Sequence, residues 1–545
     1  MARPRVLMAD PPHLIWDMMK GWVPNPALLA LSAYIEKDFD TRVMDCTVMP
    51  NPWADFEREV REFRPQVVGL CNIGTSYLYD ALNAAKLVKM VSPETKVIVG
   101  GTHPTLAPDE VLTLGPDVDF LCIGEGEVTL KEFVEAVDGG EKDFSRVKGL
   151  AFRDGSKVIR TEPRPFIDDL DSLPIPAYHR VPLKNPLYTI DVIGPKCVVP
   201  SFSRGCGYKC TFCTETLRWG NRWRGKSAWK IVEEIELLQK DYGIKTFLVG
   251  DNDFLWDRKR NYEYCELMEK KGLKANLWIQ ARPDHIMRDR ELVPRLRRTG
   301  LFEVLLGIES FDQAMMDTWD KREELDTILN CIKLLKKNDV MVLTSLMFGH
   351  WNDNKETIDR LIKSAKKHSD FLGLAIATPF PGTQFFKESM ELGRIEEKDY
   401  RKFDWGTAVM STKHLTRKEV SRLHGIAYGR FYVRPKTLLK AVFSTNPYIR
   451  TLYKSFAVYL LRKLFKRPWR QPGFMLFENY LLQREGKLKL VKATGQREKC
   501  DVCGVKVGLY SGYRCTNEEC GTLFCMDCNA GGFVKQCPRC GSTAA

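Results

Sequence analysis

The sequence predicts an α/β protein in several parts: a doubly wound parallel sheet, a partial β/α barrel, a basic helical region and a small metal-bound module. Three observations carry that prediction. Short apolar runs alternate with helical patterns from about residue 3 to 412, the order that builds parallel sheets covered by helices. The 17 cysteines are clustered, three between Cys206 and Cys213 and eight between Cys500 and Cys540. The net charge of +13 is local: residues 413–499 hold 21 Lys and Arg against 4 Asp and Glu, which leaves the rest slightly acidic. At 545 residues the chain exceeds one ordinary core. With 44% hydrophobic and 28% charged residues it is composed for folding rather than disorder.

Over residues 1–140, RVLMAD, RVMDC, QVVGLCNI, KVIVGG and VDFLCIG read as strands. PALLALSAYIEKD, ADFEREVREF, LYDALNAAKLVKMV, PDEVLTLG and EVTLKEFVEAV read as the helices that follow them. Such sheets bind ligands beyond the carboxyl ends of their strands. Those ends are Gly74-Thr75-Ser76, Gly100-Gly101-Thr102-His103-Pro104 and Gly124-Glu125-Gly126-Glu127. Glycine lets the backbone approach a large ligand there, and it equally suits a tight strand-to-helix turn. His103 is either a ligand-side group or a turn histidine bonded to backbone.

A linker over 141–190, proline-rich from Pro163 to Pro186, leads to the barrel expected over 191–412. Its strands are CVVPSFS, TFLVGD, ANLWIQAR, EVLLGIES, VMVLTSLMFG and FLGLAIAT. AWKIVEEIELLQKDY, NYEYCELMEKKG, ELVPRLRRTG, LDTILNCIKLLKKN and TIDRLIKSAKKHS are the helices, giving about six β/α units. Catalytic groups in barrels sit at the strands' carboxyl ends. After the first strand comes RGCGYKCTFC, which spaces Cys206, Cys210 and Cys213 as C-x3-C-x2-C. A structural zinc takes four ligands, so zinc would need a distant fourth. Three thiolates can instead hold three irons of a [4Fe–4S] cluster and leave the fourth open. Asp251 and Asn252 follow the second strand, Gln280 and Arg282 end the third, and Glu309 ends the fourth. Each is a candidate contact for a bound molecule or a member of a barrel-mouth salt bridge.

The region 413–497 is helical and cationic. In YIRTLYKSFAVYLLRKLFKR the apolar residues recur at helical spacing, flanked by Arg450, Lys454, Arg462, Lys463, Lys466 and Arg467. Such a helix can lie in a membrane interface or pack on the barrel with its charges in water; no nucleic-acid motif accompanies it. The tail, 498–545, pairs Cys500 with Cys503, Cys515 with Cys520, Cys525 with Cys528 and Cys537 with Cys540. Four pairs make two tetrahedral zinc sites, with iron in their place left open. No signal peptide opens the chain and no run reaches the roughly 18 apolar residues of a membrane span. The expectation is a cytoplasmic protein whose cysteines are ligands and buried thiols rather than disulfides.

The spacing of Cys206, Cys210 and Cys213, with Phe212 before the last cysteine, resembles the motif of radical S-adenosylmethionine (SAM) enzymes. The loops VGGTHPTLAPDE and CIGEGEVTLKEF resemble those of the cobalamin-binding domain that precedes many of those barrels. With GIES and TPFPGT, the chain is similar to the branch of the anaerobic magnesium-protoporphyrin ester oxidative cyclase and the hopanoid C-methylases. The resemblance implies a cluster on the three cysteines, SAM on its open iron, Phe212 near the adenine, and Asp251 and Asn252 in the SAM-binding stretch. Related sequences more often read D-D-x-F where this chain has Asp251-Asn252-Asp253-Phe254. Gln280, Arg282 and Glu309 are further SAM or substrate contacts. Cobalamin would meet Thr75, Gly100, Gly101, His103, Gly124, Glu125 and Gly126; the D-x-H-x-x-G motif of a lower-axial histidine does not occur.

By the same likeness the substrate is a hydrophobic small molecule or lipid, methylated at carbon or oxidatively cyclised, and the electron donor is of flavodoxin or ferredoxin type. The tail resembles a RING-like cross-brace. Cys500, Cys503, Cys525 and Cys528 would share one zinc and Cys515, Cys520, Cys537 and Cys540 the other, with sequential pairing as the alternative. A zinc-module adaptor with an inactive barrel is the rival from another class.

Overall fold

The computed structural model describes residues 3–13 and 23–434, apart from 73, 186–187, 191–193 and 196. Beyond 434 it describes single positions between 439 and 454 and the stretches 477–485, 488–490, 512–515 and 523–525.

The first unit runs β1 (Arg5–Asp10), α1 (Pro26–Ile35), β2 (Asp40–Asp45), α2 (Pro52–Phe63), β3 (Val67–Asn72), α3 (Leu78–Val91) and β4 (Lys96–Gly101). It continues with α4 (Thr102–Leu106), α5 (Pro108–Leu114), β5 (Phe120–Cys122) and α6 (Gly126–Asp138). The strands lie in the order β2-β1-β3-β4-β5, all parallel. Successive side chains on a strand face opposite ways. Leu7, Val68 and Leu70 therefore pack with Phe56, Val60 and Leu87 of α2 and α3, while Val6, Met8 and Ile98 pack with Leu28, Leu130 and Phe133 of α1 and α6.

The sheet does not stop at residue 140. β6 (Leu150–Asp154) and β7 (Lys157–Arg160) extend it antiparallel, so the start of the expected linker belongs to the first unit. The hairpin turns at Gly155-Ser156, with Gly155 at φ +59°. Glycine at the first position of a two-residue loop is the local signal for such a turn.

The barrel follows a short pair, β8 (Thr189–Ile190) and β9 (Gly194–Pro195). It contains β10 (Cys197–Val198), β11 (Ser203–Arg204), α7 (Thr214–Arg218), β12 (Arg224–Gly225), α8 (Ala228–Tyr242), β13 (Thr246–Leu248), α9 (Arg258–Lys270) and β14 (Asn276–Ala281). Next come α10 (Pro283–Arg288), α11 (Val293–Thr299), β15 (Leu301–Glu309), α12 (Gln313–Thr318), α13 (Leu325–Lys337), β16 (Met341–Phe348), α14 (Lys355–His368) and β17 (Phe371–Ile376). Six parallel strands in the order β10-β13-β14-β15-β16-β17 make an open, partial barrel. Val304, Leu306 and Ile308 face the helices. Glu303, Leu305, Gly307 and Glu309 alternate with them and face the interior.

An open sheet leaves unpaired amides and carbonyls on its last strand. α15 (Gln384–Glu391) and α16 (Arg417–Tyr432) complete this part, and α16 answers those groups with side chains. The Tyr432 hydroxyl accepts from Leu372 N at 2.9 Å and donates to Leu372 O at 3.2 Å. Tyr428 repeats the pattern at Leu374, 3.0 and 3.2 Å. Tyr453 donates to Asp370 O at 2.6 Å. The barrel therefore continues past 412, the expected boundary.

α17 (Phe477–Arg484) packs back on the first unit, where Phe477 meets Trp53 at 4.7 Å between ring centroids. β18 (Leu488–Leu490), β19 (Gly512–Cys515) and β20 (Leu523–Cys525) form a small antiparallel sheet. Apart from the backbone of Cys515 and Cys525, the eight tail cysteines expected to bind zinc (Cys500, Cys503, Cys515, Cys520, Cys525, Cys528, Cys537, Cys540) lie outside the described residues. So does most of the basic amphipathic segment. Among the described residues no helix is long and apolar enough to cross a membrane.

Candidate active site

Cys206, Cys210 and Cys213 stand on the loop between β11 and α7, all free and half-buried. The β11–β12 hairpin closes that loop at its base, pairing Ser203 with Gly225 and Arg204 with Arg224. Two glycines shape it. Gly205 sits at φ +87°, and a Cβ there would lie 2.0 Å from the Arg222 carbonyl oxygen. A Cβ on Gly207 would lie 2.4 Å from the Trp256 ring. At the far end Thr211 N donates to Trp319 O at 3.2 Å and Phe385 N donates to Thr211 O at 3.0 Å. Phe212 meets Trp319 edge-on, 5.4 Å between centroids. Burial pushes the Cys213 thiol up to about 12 and raises Cys206 and Cys210 too, the latter offset in part by Lys321. The metal-free loop thus carries thiols at neutral pH, and metal binding must displace their protons. Among the described residues no three metal-ligating side chains are close enough to share one ion. The three thiols, brought onto one loop, would each take a different iron of a [4Fe–4S] cluster.

The barrel-mouth residues divide in two. Arg282, Glu309 and Asn252 gather around the cysteine loop. The Arg282 guanidinium lies 3.5 Å over the Tyr208 ring and 3.0 Å from Glu323. Asn252 Nδ2 donates to Glu215 of α7 at 3.2 Å. Glu309 takes φ +61°, at an irregularity in the β15–β16 register, and stands 3.5 Å from Lys321 Nζ. Burial raises its carboxyl, and Lys321 and Ser345 act against that. A non-glycine residue held at positive φ stores strain, and such residues cluster at functional sites. Gln280 is half-buried on β14.

Asp251 does not face this space. It is fully buried, accepts from Phe202 N at 2.7 Å, Ser203 N at 2.9 Å and Ser203 Oγ at 2.6 Å, and lies 4.0 Å from Arg260. The expectation of a SAM contact gives way to a carboxylate that anchors the entry to the cysteine loop. Three other groups went unforeseen: Lys321, Tyr208, whose hydroxyl donates to Asp284 at 2.9 Å, and the buried pair Asp253–His285 at 2.7 Å. His285 and Asp284 follow β14 directly, so their place at a strand's carboxyl end was available as a signal; Lys321 lies in a patternless loop after α12.

A cavity of about 300 Å³ lies where the carboxyl ends of both sheets meet. Gly100, Gly101, Gly124, Glu125 and Gly126 line one side, with Leu28, Leu31 and Leu130. Val199, Ser201, Gly250, Arg204, Arg218 and Trp219 line the other. Gly101 cannot carry a side chain, because at φ +123° its Cβ would fall 2.0 Å from Asn72 O. Gly124, at φ +81°, has nothing within 4 Å of a Cβ position and keeps the wall open. A cradle of bare backbone with an apolar floor fits part of a large, mostly apolar cofactor such as cobalamin. Thr75 and His103 do not line it. They bond each other at 3.2 Å, and burial lowers His103 to about 4. The His103 ring also packs against Tyr400, 5.1 Å between centroids. Glu125 does line the cavity, but its carboxylate is already held by Arg204 at 2.8 Å and Arg224 at 2.9 Å.

A doubly wound domain whose strand ends share a cavity with the residues flanking a three-cysteine barrel loop defines a class, and comparison with known proteins identifies it. Residues 13–134 match the B12 binding domain and residues 201–365 the radical SAM superfamily. An uncharacterized methyltransferase of Pyrococcus horikoshii is 30% identical over 427 residues, 78% of this chain and 91% of the relative. An anaerobic magnesium-protoporphyrin IX monomethyl ester cyclase of Rubrivivax gelatinosus is 30% identical, covering 77% of this chain and 76% of its own. The hopanoid C-3 methylase of Methylococcus capsulatus is 26% identical over 69% of this chain and 70% of its own. Among solved structures, the radical SAM methyltransferase TsrM of Kitasatospora setae, with cobalamin and a [4Fe–4S] cluster bound, has the same fold. The TM-score is 0.65 at 15% identity, over 86% of this chain and all of that one. The chain belongs to the family of cobalamin-dependent radical SAM enzymes, and the inert-adaptor alternative falls with that. Its cofactors are a [4Fe–4S] cluster, SAM and cobalamin.

Proposed function

We propose that this enzyme C-methylates an unactivated carbon of a hydrophobic substrate, a lipid or polycyclic compound. The observation that carries this reading is the shared cavity: the cobalamin-side glycine loops and the residues flanking the cysteine loop line one space. Bound together, the three cofactors supply reductive cleavage of SAM, hydrogen abstraction and methyl delivery. The chain's own part is positional. Cys206, Cys210 and Cys213 would hold three irons, and Lys321 and Glu309, an opposite-charge pair beside Cys210, would orient the carboxylate and ammonium of SAM. Phe212, backed by Trp319, would sit against the adenine. Leu28, Leu31 and Leu130 keep water from the cavity floor.

Oxidative cyclisation without net methylation is the second reading, supported by the 30% identity to a cyclase. Further parts of the proposal are a flavodoxin- or ferredoxin-type electron donor, two zinc ions on the tail, peripheral membrane contact through the basic region, a cytoplasmic location and no nucleic-acid partner. The test is anaerobic reconstitution with reductant, SAM and lipid extracts, counting 5′-deoxyadenosine and S-adenosylhomocysteine. Equal yields support methylation and deoxyadenosine alone supports cyclisation; a Cys210→Ala variant that still cleaves SAM reductively ends the assignment.

A further inference from the structure

The strongest unassigned feature is a buried ionic knot between the two units. Arg204, two residues before Cys206, donates to Glu125 at 2.8 Å and also pairs with Glu127. Arg224, opposite Arg204 in the hairpin, binds the same Glu125 at 2.9 Å. Both carboxylates are at most 4% exposed, and the Arg204 side chain is 13% exposed. At the other end of the loop Arg218, five residues after Cys213, donates to Thr102 at 2.8 Å, next to Gly101. Both ends of the cysteine loop are thus tied to the two glycine loops of the first unit.

Packing alone does not account for this arrangement. Arg204, Arg218, Glu125 and Glu127 are themselves walls of the cavity, so a molecule filling it touches the ties directly. The loop they hold has little slack: Gly205, between Arg204 and Cys206, leaves no room for a Cβ. Displacing a carboxylate or guanidinium in a buried pair costs several kcal/mol unless the partner moves with it. A movement at Glu127 therefore reaches Cys206 through three covalently linked residues.

We propose that Arg204 is a positioning residue that couples occupancy of the cobalamin cavity to the geometry of the cluster loop. Cobalamin and cluster then bind cooperatively, and Glu127 carries the coupling across the domain boundary. The proposal rests on the cobalamin reading of the cavity. By linkage each group must change the affinity of the other by the same factor.

The experiment measures the dissociation constant of hydroxocobalamin by absorbance for the full-length chain, with and without reconstituted cluster. The wild type is expected to bind at least ~5-fold more tightly with the cluster in place, the lower end of ordinary coupling. Glu127→Gln, which keeps the shape and removes the charge, is expected to bring that ratio towards unity at unchanged iron content, with a lower melting temperature because Arg204 loses one of its two buried carboxylates. Arg204→Lys, which keeps the charge but not the two-pronged contact, is expected to retain part of the wild-type ratio. A wild-type ratio of one overturns the coupling without any variant, as does a Glu127→Gln ratio equal to the wild type's. If hydroxocobalamin does not bind in either state, the cavity reading fails and takes this inference with it.

Discussion

Asp251 and Ser203 are joined twice, through the Ser203 amide at 2.9 Å and its hydroxyl at 2.6 Å. The same carboxylate takes the Phe202 amide and faces the buried Arg260. Asp251→Ala strands two amides and leaves a buried cation unpaired, so a loss of about 3–5 kcal/mol in chemical denaturation is expected, with reduced iron uptake. Asp251→Asn keeps part of the acceptor set and should lose about 1–2 kcal/mol. Wild-type stability in the alanine variant would show that the loop entry is held by something else.

Gly205→Ala is expected to abolish cluster loading while leaving the first unit folded. Its φ of +87° disfavours any side chain, and the Arg222 carbonyl occupies the Cβ position. Iron and sulfide analysis beside far-ultraviolet circular dichroism tests this; a variant with full iron content contradicts it.

Glu303 sits on the inner face of β15, and burial, with Asp370 nearby, raises its carboxyl to about 8. Between pH 4.5 and 8 the folded chain therefore holds a proton that the unfolded chain has lost, and stability falls as pH rises through that window. Glu303→Gln removes the effect. Relative to the variant, the wild type should lose stability on going from pH 5 to pH 9, by on the order of 4–5 kcal/mol at most. Parallel profiles for the two chains would mean that the carboxyl ionises freely in the fold.

Tyr432→Phe deletes the hydroxyl that serves both the amide and the carbonyl of Leu372 on the open edge of β17. A buried amide without a partner costs about 1–3 kcal/mol, so a lower melting temperature is expected. Hydrogen exchange at Leu372 is the local readout, and unchanged protection there would refute the role.

The layers of both sheets were legible because strand and helix differ in period: LYDALNAAKLVKMV and AWKIVEEIELLQKDY became α3 and α8 residue for residue. The cysteine spacing was legible because it is local. What escaped depended on contacts distant in sequence. Asp251 looked like a mouth carboxylate because its strand ends there, yet the turn that follows the strand buries it under Ser203. Glu125 looked like a cofactor contact, and its partners, Arg204 and Arg224, lie 79 and 99 residues away. The segment after 412 read as a separate basic region, since no local pattern shows that two tyrosines of one helix will serve as the seventh strand of a six-stranded sheet.

The contact of Trp53 with Phe477 has a consequence for synthesis. These rings pack at 4.7 Å although 424 residues separate them, and Tyr480 adds a hydrogen bond to Glu57. At about 5–20 residues per second, Trp53 leaves the ribosome roughly 20–80 seconds before the aromatic residues that cover it. The first unit thus folds with an apolar face still open, and in that interval the nascent chain is most exposed to chaperones and to neighbouring copies of itself.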